Sequence, residues 1–547
     1  MYALEAGCSV LHPKDHRPQS STHWLPGGTQ ESCVRPLASR CQKSKPKLSA
    51  VHNAALRLEF SELLVPTQNT YHQALQMGLA SGAHGIKTFV KAKFPNALRE
   101  FASLADAVKS SGHRPDQCVM LLDGNVMVNQ VPNVVTDFDG YTRVFSGFVS
   151  QALVAADHVF VVWDEPKHVP KSKADEQRRR DRARAKTVIV VSSDLQEKLA
   201  PKDDDYGLEM LHRCNPHDLM ANRKARPRFY DALCKRVMAE LMSRRCNAGK
   251  SLTFDGIDER GGSRPPSQPR EAGMFSSSDK IETIMARREC DAKIGEGDLK
   301  LTDLESDIQY NRNEGKLFLS IEIIFICTID TDSIAIELMH QSSKNEASRA
   351  SEEQGCITGK PIKSVLCFRE TTGKRKDSDA PPQTLHACFD LDILHHELMN
   401  ELFETSDEAR RCEHLHRGAM ALLSAGWCLC GCDFCQLKGM RSDATWAAIV
   451  QIARQETSVL VKMSPVWALT RKATDAEATE ARIDLTAAIA RLVQIAICKL
   501  SDTPRMARAV ASAKLADQND YGKAAWTILY WGGLERKDIS NWGFVEE

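Results

Sequence analysis

The residues able to do chemistry in this chain are carboxylates at the ends of apolar runs. Phe325 to Leu338 reads FICTIDTDSIAIEL. The run from Ile321 to Ile326, broken only by Glu322, stops at Asp330-Thr331-Asp332. A short β-rich apolar run predicts a buried parallel strand. Two acids two residues apart at its end point the same way, on the edge where open α/β sheets hold their ligands. Like charges held together repel, so a cation belongs between them. A divalent metal suits oxygen ligands. Taken alone, the stretch reads equally as a strand followed by a solvated turn.

Other segments repeat the pattern. Val119-Met120-Leu121-Leu122 ends in Asp123, and His158-Val159-Phe160-Val161-Val162-Trp163 ends in Asp164. Ile294-Gly295-Glu296-Gly297-Asp298 carries a second acid pair with the same spacing, and Gly431-Cys432-Asp433-Phe434 one more acid. Several such acids converging on one edge describe an acidic metal pocket.

These acids need elements to position them. Strand to Asp123, helix over Val144 to Ala156 and strand to Asp164 make a βαβ unit, hence a parallel sheet. Ile86, Phe89, Val90 and Phe94 form one helical stripe ended by Pro95. Leu98 to Val108 reads as a short amphipathic helix, and a helix opens at Glu296-Gly297-Asp298 and runs to about Tyr310. Ser364 to Arg369 reads as a strand, Gly373 to Pro382 as a loop, and Leu391 to Trp531 as mostly helical. After Asp164 the chain turns basic, from Lys167 through Lys171, Lys173, Arg178, Arg179 and Arg182 to Lys186. Most charge runs are solvated helices; beside an acidic metal pocket, this one suits the phosphates of a polyanion. Arg223 to Arg245 reads as a basic helix over a nucleic-acid channel, and Gly249 to Lys280 as a mobile loop.

The 547 residues carry 72 basic and 72 acidic side chains, so nucleic-acid affinity rests on charge segregation and not on net charge. The 18 cysteines are scattered and read as reduced thiols of an intracellular protein. Cys412, Cys428, Cys430, Cys432 and Cys435, with His414 and His416, crowd together without the paired spacing usual for zinc, and read as buried thiols. No stretch approaches the roughly 20 apolar residues of a membrane span. Residues 1–84 are poor in hydrophobic periodicity and read as a disordered extension.

The ordered set of acids and the basic segment resemble the XPG/flap-endonuclease superfamily of PIN-like 5′ nucleases, over roughly Gly85 to Gln451. Gly85-Ile86-Lys87 is similar to the family's start. The family's acids fall on Asp123, Asp164, Glu296, Asp298, Asp330, Asp332 and Asp433. Its phosphate-contacting lysine and arginine fall on Lys171 and Arg178, seven and fourteen residues after Asp164. Lys173-Ala-Asp-Glu-Gln177-Arg178 also matches a pattern of related 5′-3′ exoribonucleases. Gly431 to Met440 is similar to the entry into the family's helix–two-turn–helix. Asp298 replaces the usual glutamate, Arg441 a second glycine, and Asn129 the aromatic or histidine stacking position.

The resemblance implies a PIN-like core with a twisted, mainly parallel sheet flanked by helices. It adds a helical arch and a helical C-terminal region with the helix–two-turn–helix. Its implied divisions are an extension (1–84), a first nuclease region (85–186), an arch (187–285, with the loop 249–280), a second nuclease region (286–450) and a helical region (451–547). It implies two Mg²⁺ ions, replaceable by Mn²⁺. Asp123, Asp164, Glu296 and Asp298 serve one ion, and Asp330, Asp332 and Asp433 the other. Lys171 and Arg178 act on the scissile phosphate, while Lys173, Arg179, Arg182, Lys438, Gly439 and Arg441 bind nucleic acid. The implied substrate is DNA with a 5′ flap or a single-strand/duplex junction, cut in the nucleus or an organelle. The alternatives are 5′-phosphorylated RNA for an exoribonuclease-like enzyme, and a silent nucleic-acid-binding scaffold. No sliding-clamp motif is recognisable.

Overall fold

The computed structural model describes residues 86–164, 214–221, 226–255, 274–281, 296–353, 361–371, 384–404, 412–431, 440–464, 475–501, 503–515 and 518–532. Its strands are β1 (Leu98–Phe101), β2 (Cys118–Asp123), β3 (His158–Val162), β4 (Ser251–Asp255), β5 (Met274–Ser276), β6 (Ile323–Thr328), β7 (Lys363–Thr371) and β8 (Thr384–Asp390). They form one sheet in the order β1-β8-β7-β6-β2-β3-β4-β5. The five central strands, β7-β6-β2-β3-β4, are parallel, and the outer ones pair antiparallel.

Strand β2 shows why. Five apolar residues precede its acid, and all six of its residues are buried, as a central parallel strand covered on both faces requires. Alternate side chains leave on opposite faces. Val119, Leu121, Phe160, Val162, Ile324 and Ile326 enter one core, and Met120, Leu122, Val159, Val161, Ile323 and Phe325 the other.

The described helices are α1 (Ile86–Lys93), α2 (Leu104–Ser110), α3 (Gly124–Asn129), α4 (Phe138–Ala155), α5 (Pro216–Ala221), α6 (Arg226–Met242), α7 (Gly297–Asn313) and α8 (Asp332–Glu353). Then come α9 (Leu391–Leu402), α10 (Glu413–Gly431), α11 (Ser442–Gln455), α12 (Thr457–Met463), α13 (Asp475–Cys498), α14 (Thr503–Leu515) and α15 (Gln518–Trp531). Residues of α1, α7, α8 and the helices from α9 onward share the first core, so the C-terminal helices continue that layer. Residues of α2, α4 and α6 fill the second. The protein is thus an α/β protein with a mixed, mostly parallel sheet flanked by helices. Among the described residues no helix is long and apolar enough to cross a membrane.

Several expectations change. Leu98–Phe101, expected in a helix, is the edge strand β1, because antiparallel pairing with β8 overrides its local preference. β8 itself had no expected counterpart. Residues 251–255 and 274–276, expected in a mobile loop, join the sheet, since burial of Leu252 and Phe254 rewards pairing with β3. Helix α6 turns its aromatic and aliphatic stripe inward. Phe229, Tyr230, Leu233 and Val237 are fully buried in the second core, where Tyr230 stacks on Trp163 with ring centroids 4.0 Å apart. The extension 1–84, the basic run 165–186 and the segment 432–439 lie outside the described residues.

Candidate active site at the acid edge

Four neighbouring parallel strands each deliver an acid to the C-terminal edge. Asp123 is the last residue of β2, Asp164 lies two residues past β3, Asp255 ends β4, and Asp330 lies two residues past β6. The start of α7 brings Glu296 and Asp298, and the start of α8 brings Asp332.

Asp123 is buried, and its Oδ1 caps α3 by accepting from the backbone N–H groups of Asn125 at 2.9 Å and Val126 at 3.4 Å. A strand-end aspartate has this capping role whatever its chemistry, and Asp390 does the same for α9. Asp390, however, faces Lys363 at 2.6 Å, whereas Asp123 faces other acids. Burial, then the charge of Asp164, then that of Asp330, push the Asp123 carboxyl up to about 8. Asp255 differs again, because Lys300 of α7 neutralises it at 2.5 Å.

Gly297 is what lets α7 reach the strands. Its N–H donates to Asp164 Oδ1 at 2.7 Å. A Cβ built on it would stand 3.2 Å from Asp164 Oδ1, 3.5 Å from Asp123 Oδ1 and 3.8 Å from Asn125 Nδ2. One point therefore touches both carboxylates and the Asn125 amide. Asp298 is held from the other side, where Ser333 and Thr328 hydroxyls donate to its Oδ1 at 2.7 and 3.2 Å. Thr328 also accepts the Asp330 N–H, and Asp330 Oδ1 accepts the Asp332 N–H at 3.1 Å. Asp330 and Asp332 are thus not two alternate residues of one strand, as expected. β6 stops at Thr328, and the Asp330 side chain turns the chain into α8.

The structure accordingly gathers Asp123, Asp164, Glu296, Asp298, Asp330 and Asp332 on one edge. Asp433, Lys171, Lys173, Arg178, Arg179, Arg182, Lys438 and Gly439 lie outside the described residues. Arg441 precedes α11, and its guanidinium forks onto Asp443 at 2.7 and 2.8 Å.

Among the described residues no three His, Cys, Asp or Glu side chains form a group that could hold one ion. Burial and then the Asp164 charge raise Asp123, and either a proton or a cation relieves both. A hydrated ion of the Mg²⁺ kind takes few carboxylates directly and reaches others through water, and the point 3.2 Å from Asp164 Oδ1 and 3.5 Å from Asp123 Oδ1 is compatible with that mode.

Sequence reasoning missed Asn125 and Tyr230. Burial pushes the Tyr230 phenol up, so it stays protonated, and its hydroxyl donates to Asn125 Oδ1 at 3.1 Å. That fixes the amide so that its buried Nδ2, which has no protein partner, is turned to the carboxylates. The signal available was an amide two residues after the strand-end acid. Asp255 was also missed, because its strand was read as loop.

No protein-family model matches this chain, and no curated protein matches it.

Proposed function

We propose that this protein is a metal-dependent phosphodiesterase with a PIN-like core, a structure-specific 5′ nuclease acting on branched DNA. The observation that carries the reading is the meeting of acids from β2, β3 and β6 with the starts of α7 and α8, where burial and then the charges of Asp164 and Asp330 push Asp123 up to about 8. A mostly parallel sheet with helices on both faces, and helices α10 and α11 on either side of the segment 432–439, support it.

Asp123, Asp164, Glu296 and Asp298 would serve one hydrated ion, reached partly through water because no three of them form a single ligand group, and Asp330, Asp332 and Asp433 would serve the other. When bound, two Mg²⁺ ions supply an activated water and offset charge on the attacking and leaving oxygens. The chain's own groups do the positioning. Ser333 and Thr328 fix Asp298, the first turn of α3 fixes Asp123, and Gly297 keeps the space between Asp123 and Asp164 open. Asn125 Nδ2 offers a preorganised donor to a phosphate oxygen. Lys171 and Arg178 neutralise the scissile phosphate, and Lys173, Arg179, Arg182, Lys438, Gly439 and Arg441 hold flanking phosphates.

The test is cleavage in Mg²⁺ of an end-labelled 5′-flap duplex and a 5′-phosphorylated single-stranded RNA, with EDTA and Asp330→Ala as controls. Cutting near the flap base, abolished by both controls, is the expected result. Stepwise loss of the RNA alone moves the assignment to the exoribonuclease reading. Folded, nucleic-acid-binding protein that cuts neither substrate overturns the enzymatic reading.

A further inference from the structure

Away from the acids, three cysteines stand side by side across the sheet. Cys327 of β6 is the register partner of Cys367 of β7, and Cys367 is the register partner of Cys388 of β8. Register partners on neighbouring strands send their side chains to the same face. All three lie on the side of the second core, Cys367 and Cys388 inside it and Cys327, half-buried, against it. The Cys367 thiol donates to Cys388 Sγ at 2.8 Å, with Cys327 beside it on the other strand.

Directly opposed antiparallel residues have Cα atoms about 4.5–5.5 Å apart, inside the range of about 4.4–6.8 Å that a disulfide spans. A bond of about 2.05 Å thus requires only a small closure of the two sulfurs, with no change of register.

We propose that Cys367 and Cys388 are an oxidation site, closing to a cross-strand disulfide by exchange with a small disulfide such as oxidised glutathione, with Cys327 as the thiol attacked first. Burial, with the neighbouring thiols, pushes the Cys367 thiol well up, and a thiol without thiolate reacts slowly with an outside reagent. Cys327 is the more accessible of the three. Its sulfur attacks oxidised glutathione, forms a mixed disulfide and releases one reduced glutathione. Cys367 attacks the Cys327 sulfur and expels the second glutathione, which leaves with the Cys367 proton. Cys388 then attacks Cys367, forming the Cys367–Cys388 bond and returning Cys327 to the thiol by proton transfer. One glutathione disulfide becomes two reduced glutathiones as two protein thiols become one S–S bond.

The full chain, freshly reduced, is incubated with oxidised glutathione, trapped by alkylation in denaturant, digested and mapped by mass spectrometry. The expected result is a Cys367–Cys388 linked peptide that dithiothreitol releases, in a protein whose melting temperature has risen by a few degrees. Cys327→Ser is expected to slow linkage at least about tenfold and to reach the same end point. Cys367 and Cys388 staying fully alkylatable in a folded protein overturns the proposal. So does an unchanged rate in Cys327→Ser, or linkage no faster in native protein than in urea.

Discussion

At the scale of single residues, Asp123 shows what a strand-end aspartate costs when its neighbours are acids. Its carboxyl is raised, so the folded protein binds this proton more tightly than the unfolded chain does. The stability it contributes is present below the ordinary aspartate value, and it falls as pH rises toward about 8. Without added metal, Asp123→Asn keeps the cap acceptor and removes the repulsion. The variant is therefore expected to melt higher than wild type at pH 8, with a difference that shrinks toward pH 4. Thermal melts across that range check it. Added Mg²⁺ is expected to stabilise the wild type and to leave the variant nearly unmoved, with cleavage lost. A variant that melts lower at pH 8 contradicts the picture of clustered carboxylates.

Among the elements, α7 and α8 matter most, because both begin at the acids and both run down into the core. Between them lies a buried polar cluster. The half-buried Thr302 hydroxyl donates to Glu337 Oε1 at 2.6 Å and lies 3.2 Å from the Asp298 carbonyl. One turn below, Lys344 pairs with Glu305 at 2.5 Å and donates at 2.9 Å to both Ser364 and the Ile362 carbonyl. Burial would by itself raise the Glu305 carboxyl, but the charges of Lys344 and His340 and hydrogen bonds from Lys344 and Ser364 outweigh it and hold the group low. Burial, then the Glu305 charge, raise Glu337 well up, so it stays protonated. Removing the cation strands a buried carboxylate. Lys344→Met is therefore expected to cost roughly 3–5 kcal/mol, read by urea unfolding. Adding Glu305→Gln to it is expected to recover part of that loss. Glu305 contributes its stability above the ordinary glutamate value and loses it as pH falls below that, so the wild-type advantage over the double variant shrinks in acid.

For the whole molecule, two properties follow from how the layers join. The first core runs without a break from α1 through the sheet to the C-terminal helices. Trp446 of α11 is one of its joints, with Phe89 and Phe94 rings 5.6 and 5.7 Å away. Trp446→Ala is expected to cost about 3–5 kcal/mol, with circular dichroism and fluorescence melts falling together, as one continuous core requires. The second property is charge. With 72 residues of each sign, the proposed attraction for nucleic acid rests on segregated charge, and the basic run after Asp164 is its proposed seat. Lys171→Ala with Arg178→Ala is expected to flatten the dependence of log affinity on log salt by about 1.4 on a single strand. Fluorescence anisotropy in EDTA measures it.

The sequence by itself determined the central strands β2, β3 and β6 and the acids at or just past their ends. Val119–Leu122, His158–Trp163 and Ile321–Ile326 are apolar enough that only burial in a parallel sheet satisfies them, and the acids must then lie where the apolar run stops. The helix opening at Gly297 was legible too, because glycine and acids mark a helix start. Tertiary structure decided the rest. β1 exists through pairing with β8, β8 through pairing with β7 and β1, and β4 through pairing with β3 and β5, and none of the three has a local pattern strong enough to show it. The burial of α6 was hidden because its basic residues mask the Phe229-Tyr230-Leu233-Val237 stripe. Asn125 gained a role only when Tyr230, 105 residues away, came to hold its amide. The alignment of Cys327, Cys367 and Cys388 depends on strand register, which non-local hydrogen bonds set and no segment carries alone.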